Sequence, residues 1–267
     1  MYQDEQTLLA RRAQTRAFVN GIGEVGFSAL IRTTWRIFRT HIRGLLRVLV
    51  PIYLMVHTLG ALAGWLLLAH PRDPIADAYV FAYSAGSAIV DSLLVGAVAL
   101  RLTAPAAGEP LVRPVGLWRE LLTGATAVAL ISLVPFLLGP VGAFLRVLVE
   151  PILGPPVVAH AIALEGRPFG DAWRRAKQLL AGRWGHTFVW LFTIALGVGL
   201  ASGALIGLLS VGVVEATPLR GLGFYVVVGG LGAGLVRSVG AGFLFTGMLV
   251  AYAALAARTA EEDARPA

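Results

Sequence analysis

Long apolar runs are the feature of this sequence that most limits how it can fold. The stretches 48–69, 77–100 and 186–214 run close to or past the roughly 20 residues that a helix needs to cross a bilayer. Inside hydrocarbon, backbone N–H and C=O groups cannot bond to water, so only helices or closed barrels span it. The runs lack the alternation of barrel strands. The sequence therefore predicts an all-α, polytopic integral membrane protein.

Composition favours the same class. Charged residues make up only 14% of the 267 residues, against about 25% in a typical soluble domain. The chain has no cysteine, which excludes disulfides, thiolate metal sites and cysteine nucleophiles. The net charge of +7 comes from arginines that cluster between apolar runs. That distribution is typical of membrane topology, so nucleic-acid binding is not expected.

Six spans account for the apolar runs and form one transmembrane domain over residues 27–258. The predicted spans are 45–68, 78–100, 121–138, 142–164, 186–212 and 238–257. Residues 1–26 and 259–267 form polar ends. Residues 222–236 are also apolar, but Arg237 separates them from the last span. We expect an outer-leaflet or re-entrant segment there, with Arg237 reaching toward the outer interface.

Basic residues predict the orientation of the bundle. Residues 1–47 carry eight arginines against three acids, and residues 165–185 carry five basic residues against two acids. The opposite loops, 69–77 and 213–221, carry one arginine each. Because Lys and Arg accumulate in cytoplasmic loops, both termini are predicted to be cytoplasmic. The preference for arginine over lysine is typical of a bacterial gene, which predicts a plasma-membrane location.

Basic amphipathic helices are predicted before the first, third and fifth spans, over residues 27–44, 115–121 and 169–184. In the first helix, arginines fall within an arc of about 80°, beside an apolar stripe that contains Trp35 and Phe38. This pattern indicates a helix in the cytoplasmic interface that runs on into the first span, with its arginines toward lipid phosphates. The candidate residues for contact with lipid headgroups or a partner are Arg32, Arg36, Arg39, Arg43, Arg174, Arg175 and Lys177.

The first and third of these helices resemble each other. Sliding the chain on itself by 142 residues pairs Phe27 with Phe169 and Ile42 with Trp184. We therefore expect repeated units, in each of which a cytoplasmic amphipathic helix leads into a hairpin of two spans.

Four of the ionisable residues within predicted spans are candidates for a functional path, because a charge inside the membrane is costly and a functional role is the first expectation. They are His57, Asp91, Arg146 and Glu150. The last two share a helix face, and prolines from Pro151 onward predict a broken fourth helix, as in transporter binding sites. The alternative is structural, with serines satisfying Asp91 and an Arg146–Glu150 ion pair locking two hairpins together.

Motifs for other chemistry are missing from the sequence. The five histidines have no zinc spacing, and no Gly-Lys-Ser/Thr loop or Ser-centred elbow occurs. We therefore predict no catalytic, cofactor-binding or metal-binding residues. Small-xxx-small spacing at 203–207 and 230–234 predicts close helix packing instead.

Three stretches resemble a known family. One begins with Val-Val-Ala-His-Ala-Ile-Ala-Leu-Glu-Gly at 157–166 and continues with Asp-Ala-Trp-Arg-Arg-Ala and Leu-Leu-Ala-Gly-Arg-Trp within 171–184. The others are the helix at 29–43 and Tyr-Ala-Ala-Leu-Ala-Ala-Arg at 252–258. Together they are similar to the glycerophosphoryl diester phosphodiesterase membrane domain, a bacterial family found alone or fused to phosphodiesterase domains. The resemblance implies a multi-span membrane module. It brings no hydrolase residues, because the spans occupy the chain.

Two functions fit these patterns. The first is a non-catalytic scaffold or accessory protein that binds anionic lipid or a protein partner at the cytoplasmic face. The second is a small solute or lipid transporter that uses a polar path through the bundle.

Overall fold

A computed structural model gives the arrangement of the helices. It describes residues 18, 22, 27–70, 73–103, 116–137, 155–216 and 221–263. All regular structure within these residues is helical, as the sequence predicts. The helices are α1 Phe27–Ala69, α2 Pro74–Leu102, α3 Leu117–Leu137, α4 Pro155–Glu165, α5 Phe169–Leu180, α6 Trp184–Ala216, α7 Leu222–Phe224, a π-helix Tyr225–Gly232 and α8 Ala233–Asp263.

Four of the described helical segments are long and apolar enough to cross a membrane. They are Ser28–Ala69, Ala78–Leu102, Val189–Val214 and Leu222–Thr259. At 1.5 Å per residue the 43 residues of α1 extend over about 65 Å, whereas the hydrocarbon core is about 30 Å thick. A large part of α1 therefore lies outside the hydrocarbon or tilts strongly within it.

The antiparallel pair of α1 and α8 forms the centre of the fold. Glycines on α8 and on the π-helix before it allow this rod to approach the backbone of α1. A Cβ added at Gly234 would lie 2.9 Å from the Leu54 Cα, and one at Gly230 would lie 3.1 Å from the Thr58 Cα. Farther along, Gly247 faces Thr34 of α1. The predicted close packing at 230–234 is therefore present in the structure.

The other predicted glycine pair, at 203–207, has a different environment. Among the residues that the structure describes, no atom lies within 4 Å of a Cβ added at Gly203 or at Gly207. Both glycines lie on an outward face of α6, together with exposed Leu200 and Leu208.

The last helix differs from its predicted division at Arg237. The π-helix continues directly into α8, so residues 222–263 form one helical rod with Arg237 inside it. Residues 229–234 pack against α1, and residues 222–236 are therefore no separate re-entrant piece. The backbone remains hydrogen-bonded around Arg237, and the close contacts of Gly230 and Gly234 hold the segment in the pair.

The predicted amphipathic helices also differ among themselves. Segment 27–44 is the first part of α1 and continues without a break into the predicted span. Of the segment 115–121, residues 117–121 belong to α3. Only 169–184 turns a corner, at Gly182, whose φ of +70° is a left-handed conformation that suits glycine. The 142-residue offset pairs Gly182 with Thr40, which remains helical and donates a hydrogen bond to the Arg36 carbonyl. The two units therefore differ in shape where their sequences differ.

Candidate functional site

Five arginines lie along one side of α1, and we define the arginine face as Arg32, Arg36, Arg39, Arg43 and Arg47. All five side chains are exposed. The opposite face of the same helix is buried against the bundle, with Leu30 and Leu45 at most 1% exposed. Within the described part of the chain, none of the five forms an ion pair with an Asp or Glu.

A further cation extends this surface. Arg101, at the end of α2, lies against Gly44, where an added Cβ would be 3.6 Å from its Nη2 atom. Trp35 is 55% exposed beside the arginines. Indole rings and guanidinium groups both favour the interface between water and acyl chains. The arginine face therefore has the side chains of a membrane-interface surface.

The second predicted cationic group divides in the structure. Arg174 and Lys177 are exposed on α5, where the first of them pairs with Asp171. Arg175 instead turns toward the bundle, where its side chain is 20% exposed and its Nε lies 3.3 Å from Glu165 Oε1. The prediction that Arg175 faces lipid headgroups therefore differs from the structure. Its guanidinium group instead pairs with the largely buried carboxylate of Glu165.

Glu165 is the centre of a polar cluster that the sequence did not predict, and we call Glu165, Arg167, Arg175 and Tyr252 the Glu165 cluster. Oε1 accepts hydrogen bonds from Tyr252 Oη and Arg175 Nε, and Oε2 accepts one from Arg167 Nε. Burial alone would raise the pKa of the Glu165 carboxyl, but the hydrogen bonds from Tyr252 and Arg167 outweigh it and hold that pKa below its ordinary value. The ionised carboxylate connects α4, α5 and α8.

Two further contacts connect the helices around the Glu165 cluster. The buried ring of His160 stacks on Tyr252 with centroids 5.4 Å apart. Arg183 donates a hydrogen bond to Thr259 Oγ1 at 3.1 Å. The Glu165 cluster and these contacts connect residues within 157–166, 171–184 and 252–259. The sequence did not reveal this cluster because its members come from helices that are distant along the chain.

Glu120 makes a similar connection between α3 and α5. Its Oε2 accepts a hydrogen bond from the Phe169 N–H at 3.0 Å, and Arg119 pairs with its other oxygen. The Phe169 N–H holds the pKa of the Glu120 carboxyl below its ordinary value, with a smaller effect from Arg119. An acidic side chain near the first N–H groups of α5 also fits the positive end of the helix dipole. The start of α5 is thereby fixed to α3.

The predicted polar path is only partly within the described residues. Tyr53 donates a hydrogen bond to Asp91 Oδ1 at 2.7 Å, and His57 stacks on Tyr53 with ring centroids 5.7 Å apart. These contacts bring His57 and Asp91, from α1 and α2, to one site. The other two residues of the path, Arg146 and Glu150, lie outside the described residues.

One further residue borders this site. A Cβ at Gly60 would lie 2.4 Å from Tyr83 Oη, so Tyr83 covers α1 one turn beyond His57. The sequence pattern identified His57 and Asp91 but not their tyrosine neighbours. Tyr53 and Tyr83 were missed because tyrosines at such helix positions also suit apolar packing.

No group of three or more His, Cys, Asp or Glu residues within the described ranges could hold a metal ion. Comparison with known proteins gives no matching family model, curated protein or solved structure.

Proposed function

We propose that this chain is a non-catalytic, multi-span plasma-membrane protein that binds anionic lipid at the cytoplasmic face through the arginine face of α1. The single observation that carries the proposal is the exposure of five arginines on one side of a helix whose other side is buried. A solvated salt-bridge surface would present acids among them. Here the segment 27–47 contains no Asp or Glu, so lipid phosphates are natural counter-charges.

The energetics favour such binding. A basic residue near an anionic membrane surface contributes about 1 kcal/mol, so five arginines give an attraction of several kcal/mol that weakens as salt increases. The exposed Trp35 adds interfacial affinity. The chain would act as an accessory or scaffold module, with six spans and both termini in the cytoplasm. The family resemblance in the stretches that meet at the Glu165 cluster is consistent with such a module.

Lipid composition around the purified protein tests the proposal. The variant Arg32→Gln/Arg36→Gln/Arg39→Gln/Arg43→Gln removes four charges and keeps helix-forming residues. In nanodiscs of mixed phosphatidylglycerol and phosphatidylcholine, we expect the wild-type protein to enrich phosphatidylglycerol several-fold and the variant to lose this enrichment. The matched control is Arg119→Gln, whose side chain is 81% exposed but lies on α3. Enrichment that survives in the four-charge variant would contradict the proposal.

A transporter is the second candidate, and the contact between Tyr53 and Asp91 is the observation that favours it. The hydrogen bond connects α1 and α2 within predicted spans, and the His57 ring stacks on Tyr53 beside it. Such intramembrane polar groups commonly belong to ion or substrate paths. In proteoliposomes, Asp91→Asn should abolish flux of a transported solute or lipid while Asp171→Asn leaves it intact. Equal flux in both variants would remove this candidate.

A further inference from the structure

An apolar groove separates α6 from α8 and ends against α1. Its volume is about 480 Å³, within the range of roughly 300–1,000 Å³ that is typical of ligand pockets. Residues that line it are Trp35, Phe38, Ala201, Leu205, Leu235 and Phe243. Gly240 belongs to the lining, and a Cβ added there would lie 2.8 Å from the Val198 Cγ1, so a larger residue at this position would occupy part of the space between the helices. The groove is therefore built by the sequence of both helices.

The groove opens toward the outside of the bundle. Leu205 is 51% exposed and Leu235 is 50% exposed, and both belong to helices that are long and apolar enough to cross a membrane. From Phe243 to Leu235 the groove follows α8 over eight residue steps, or about 12 Å at 1.5 Å per residue. An occupant must therefore be elongated and apolar over this length.

One end of the groove is cationic. Trp35 lines that end, and its neighbours on the α1 surface are Arg32 and Arg39, at the i−3 and i+4 positions. Arg36 in turn neighbours both of these arginines, at i+4 from Arg32 and i−3 from Arg39. All three arginines are exposed. An occupant that satisfies both ends has an anionic head and a hydrocarbon tail.

From this complementarity we infer that one phospholipid with an anionic headgroup binds between α1, α6 and α8. Its phosphate pairs with Arg32, Arg36 and Arg39, its glycerol region contacts the Trp35 indole, and one acyl chain lies in the groove. The inference rests on the proposed function for the headgroup. It goes beyond that function because it predicts a single bound molecule with its tail between two helices.

Native mass spectrometry of the detergent-solubilised protein tests the site, with phosphatidylglycerol and phosphatidylcholine of identical acyl chains as probes. The wild-type protein should bind one phosphatidylglycerol at least tenfold more tightly than phosphatidylcholine. Ala201→Trp fills the groove and should weaken phosphatidylglycerol binding at least tenfold. Ala204→Trp is the matched control, since Ala204 is exposed on the same helix and does not line the groove. Equal binding by Ala201→Trp and wild type, or an equal loss in both tryptophan variants, overturns the inference.

A second measurement uses the Trp35 indole itself as the probe. Phosphatidylglycerol with brominated acyl chains should quench the fluorescence of the wild-type protein more than that of Trp35→Phe, because Trp35 is beside the bound tail. Equal quenching overturns the inference.

The triple variant Arg32→Gln/Arg36→Gln/Arg39→Gln separates the two claims. If it keeps the preference for phosphatidylglycerol, the proposed function fails. If it loses that preference while Ala201→Trp keeps wild-type binding, only the groove inference fails.

Discussion

At the scale of single residues, Glu165 shows how one carboxylate organises three helices. Its oxygens accept hydrogen bonds from Tyr252, Arg175 and Arg167, and its side chain is 14% exposed. A carboxylate that is largely shielded from water needs hydrogen-bonding and charged partners in the protein. Removing one partner leaves part of the negative charge uncompensated and destabilises the fold. The cluster is a structural connection. Glu165 ends α4, Arg167 follows it in the loop, Arg175 belongs to α5 and Tyr252 belongs to α8.

Substitution of Glu165 should therefore destabilise the fold. Glu165→Gln retains the side-chain size but removes the charge that accepts these bonds, and charged hydrogen bonds contribute about 1.5–3 kcal/mol. We expect a loss of about 2 kcal/mol in the free energy of unfolding, measured as a lower Tm in detergent. The control is Asp171→Asn, which breaks an exposed ion pair with Arg174 and should change stability by about 0.5 kcal/mol or less. Equal melting of Glu165→Gln and wild type would show that the cluster does not stabilise the fold.

The same residue predicts a pH dependence with a definite sign. The pKa of the Glu165 carboxyl is lower in the folded protein than in the unfolded chain, where it is about 4.3. The unfolded state therefore takes up the proton first as pH falls. The stabilisation is fully present above pH of about 4.3 and is lost as pH falls through the lower folded pKa. Measured against pH, the Tm difference between wild type and Glu165→Gln should be constant near neutrality and shrink in acid. A difference that grows in acid would contradict the pKa direction.

At the scale of helices, the close approach of α1 and α8 depends on glycines at definite positions. A side chain at Gly234 would collide with main-chain atoms, at 2.9 Å from the Leu54 Cα and 3.0 Å from the Tyr53 carbonyl oxygen. The backbone of α1 cannot move away without opening the pair. The glycine at 234 is therefore part of the packing rather than of any ligand site.

Replacement of this glycine provides a test of the pairing. Gly234→Leu should cost about 1–3 kcal/mol through overpacking, seen as a lower Tm in detergent. Gly203→Leu is the matched control, because an added Cβ there meets nothing within 4 Å, and it should melt at or above the wild-type temperature. If the two leucine variants melt alike, the packing of α1 against α8 is not as described.

The sequence predicted helices well but predicted their ends and contacts less completely. Apolar runs and the 3.6-residue period determine where helices form, so α1, α2, α6 and α8 contain four of the six predicted segments, 45–68, 78–100, 186–212 and 238–257. The continuity of 222–263 was not predicted, because a lone charge such as Arg237 interrupts hydropathy without interrupting backbone hydrogen bonds. The partners of Asp91 and Glu165 come from helices distant in sequence, and periodicity within one helix carries no information about them.

At the scale of the whole molecule, exposed charged residues and exposed apolar residues occupy different parts of the bundle. The exposed arginines of α1 occupy its first half, and exposed apolar residues cover α6 from Val189 to Val214. This order predicts a bundle that crosses the bilayer with the arginine face at the inner leaflet. The lipid-binding proposal requires that orientation, since anionic lipid gives the cytoplasmic leaflet its negative surface potential.

Labelling of single cysteines in intact cells tests this orientation most directly, because the natural chain has no cysteine and each introduced thiol is the only one. Thr40 lies among the arginines of α1. Ile75 lies at the start of α2, near the opposite end of α1, and both positions are exposed. With a maleimide that does not cross membranes, Ile75→Cys should react in intact cells and Thr40→Cys only after permeabilisation. Reaction of Thr40→Cys in intact cells would contradict the account.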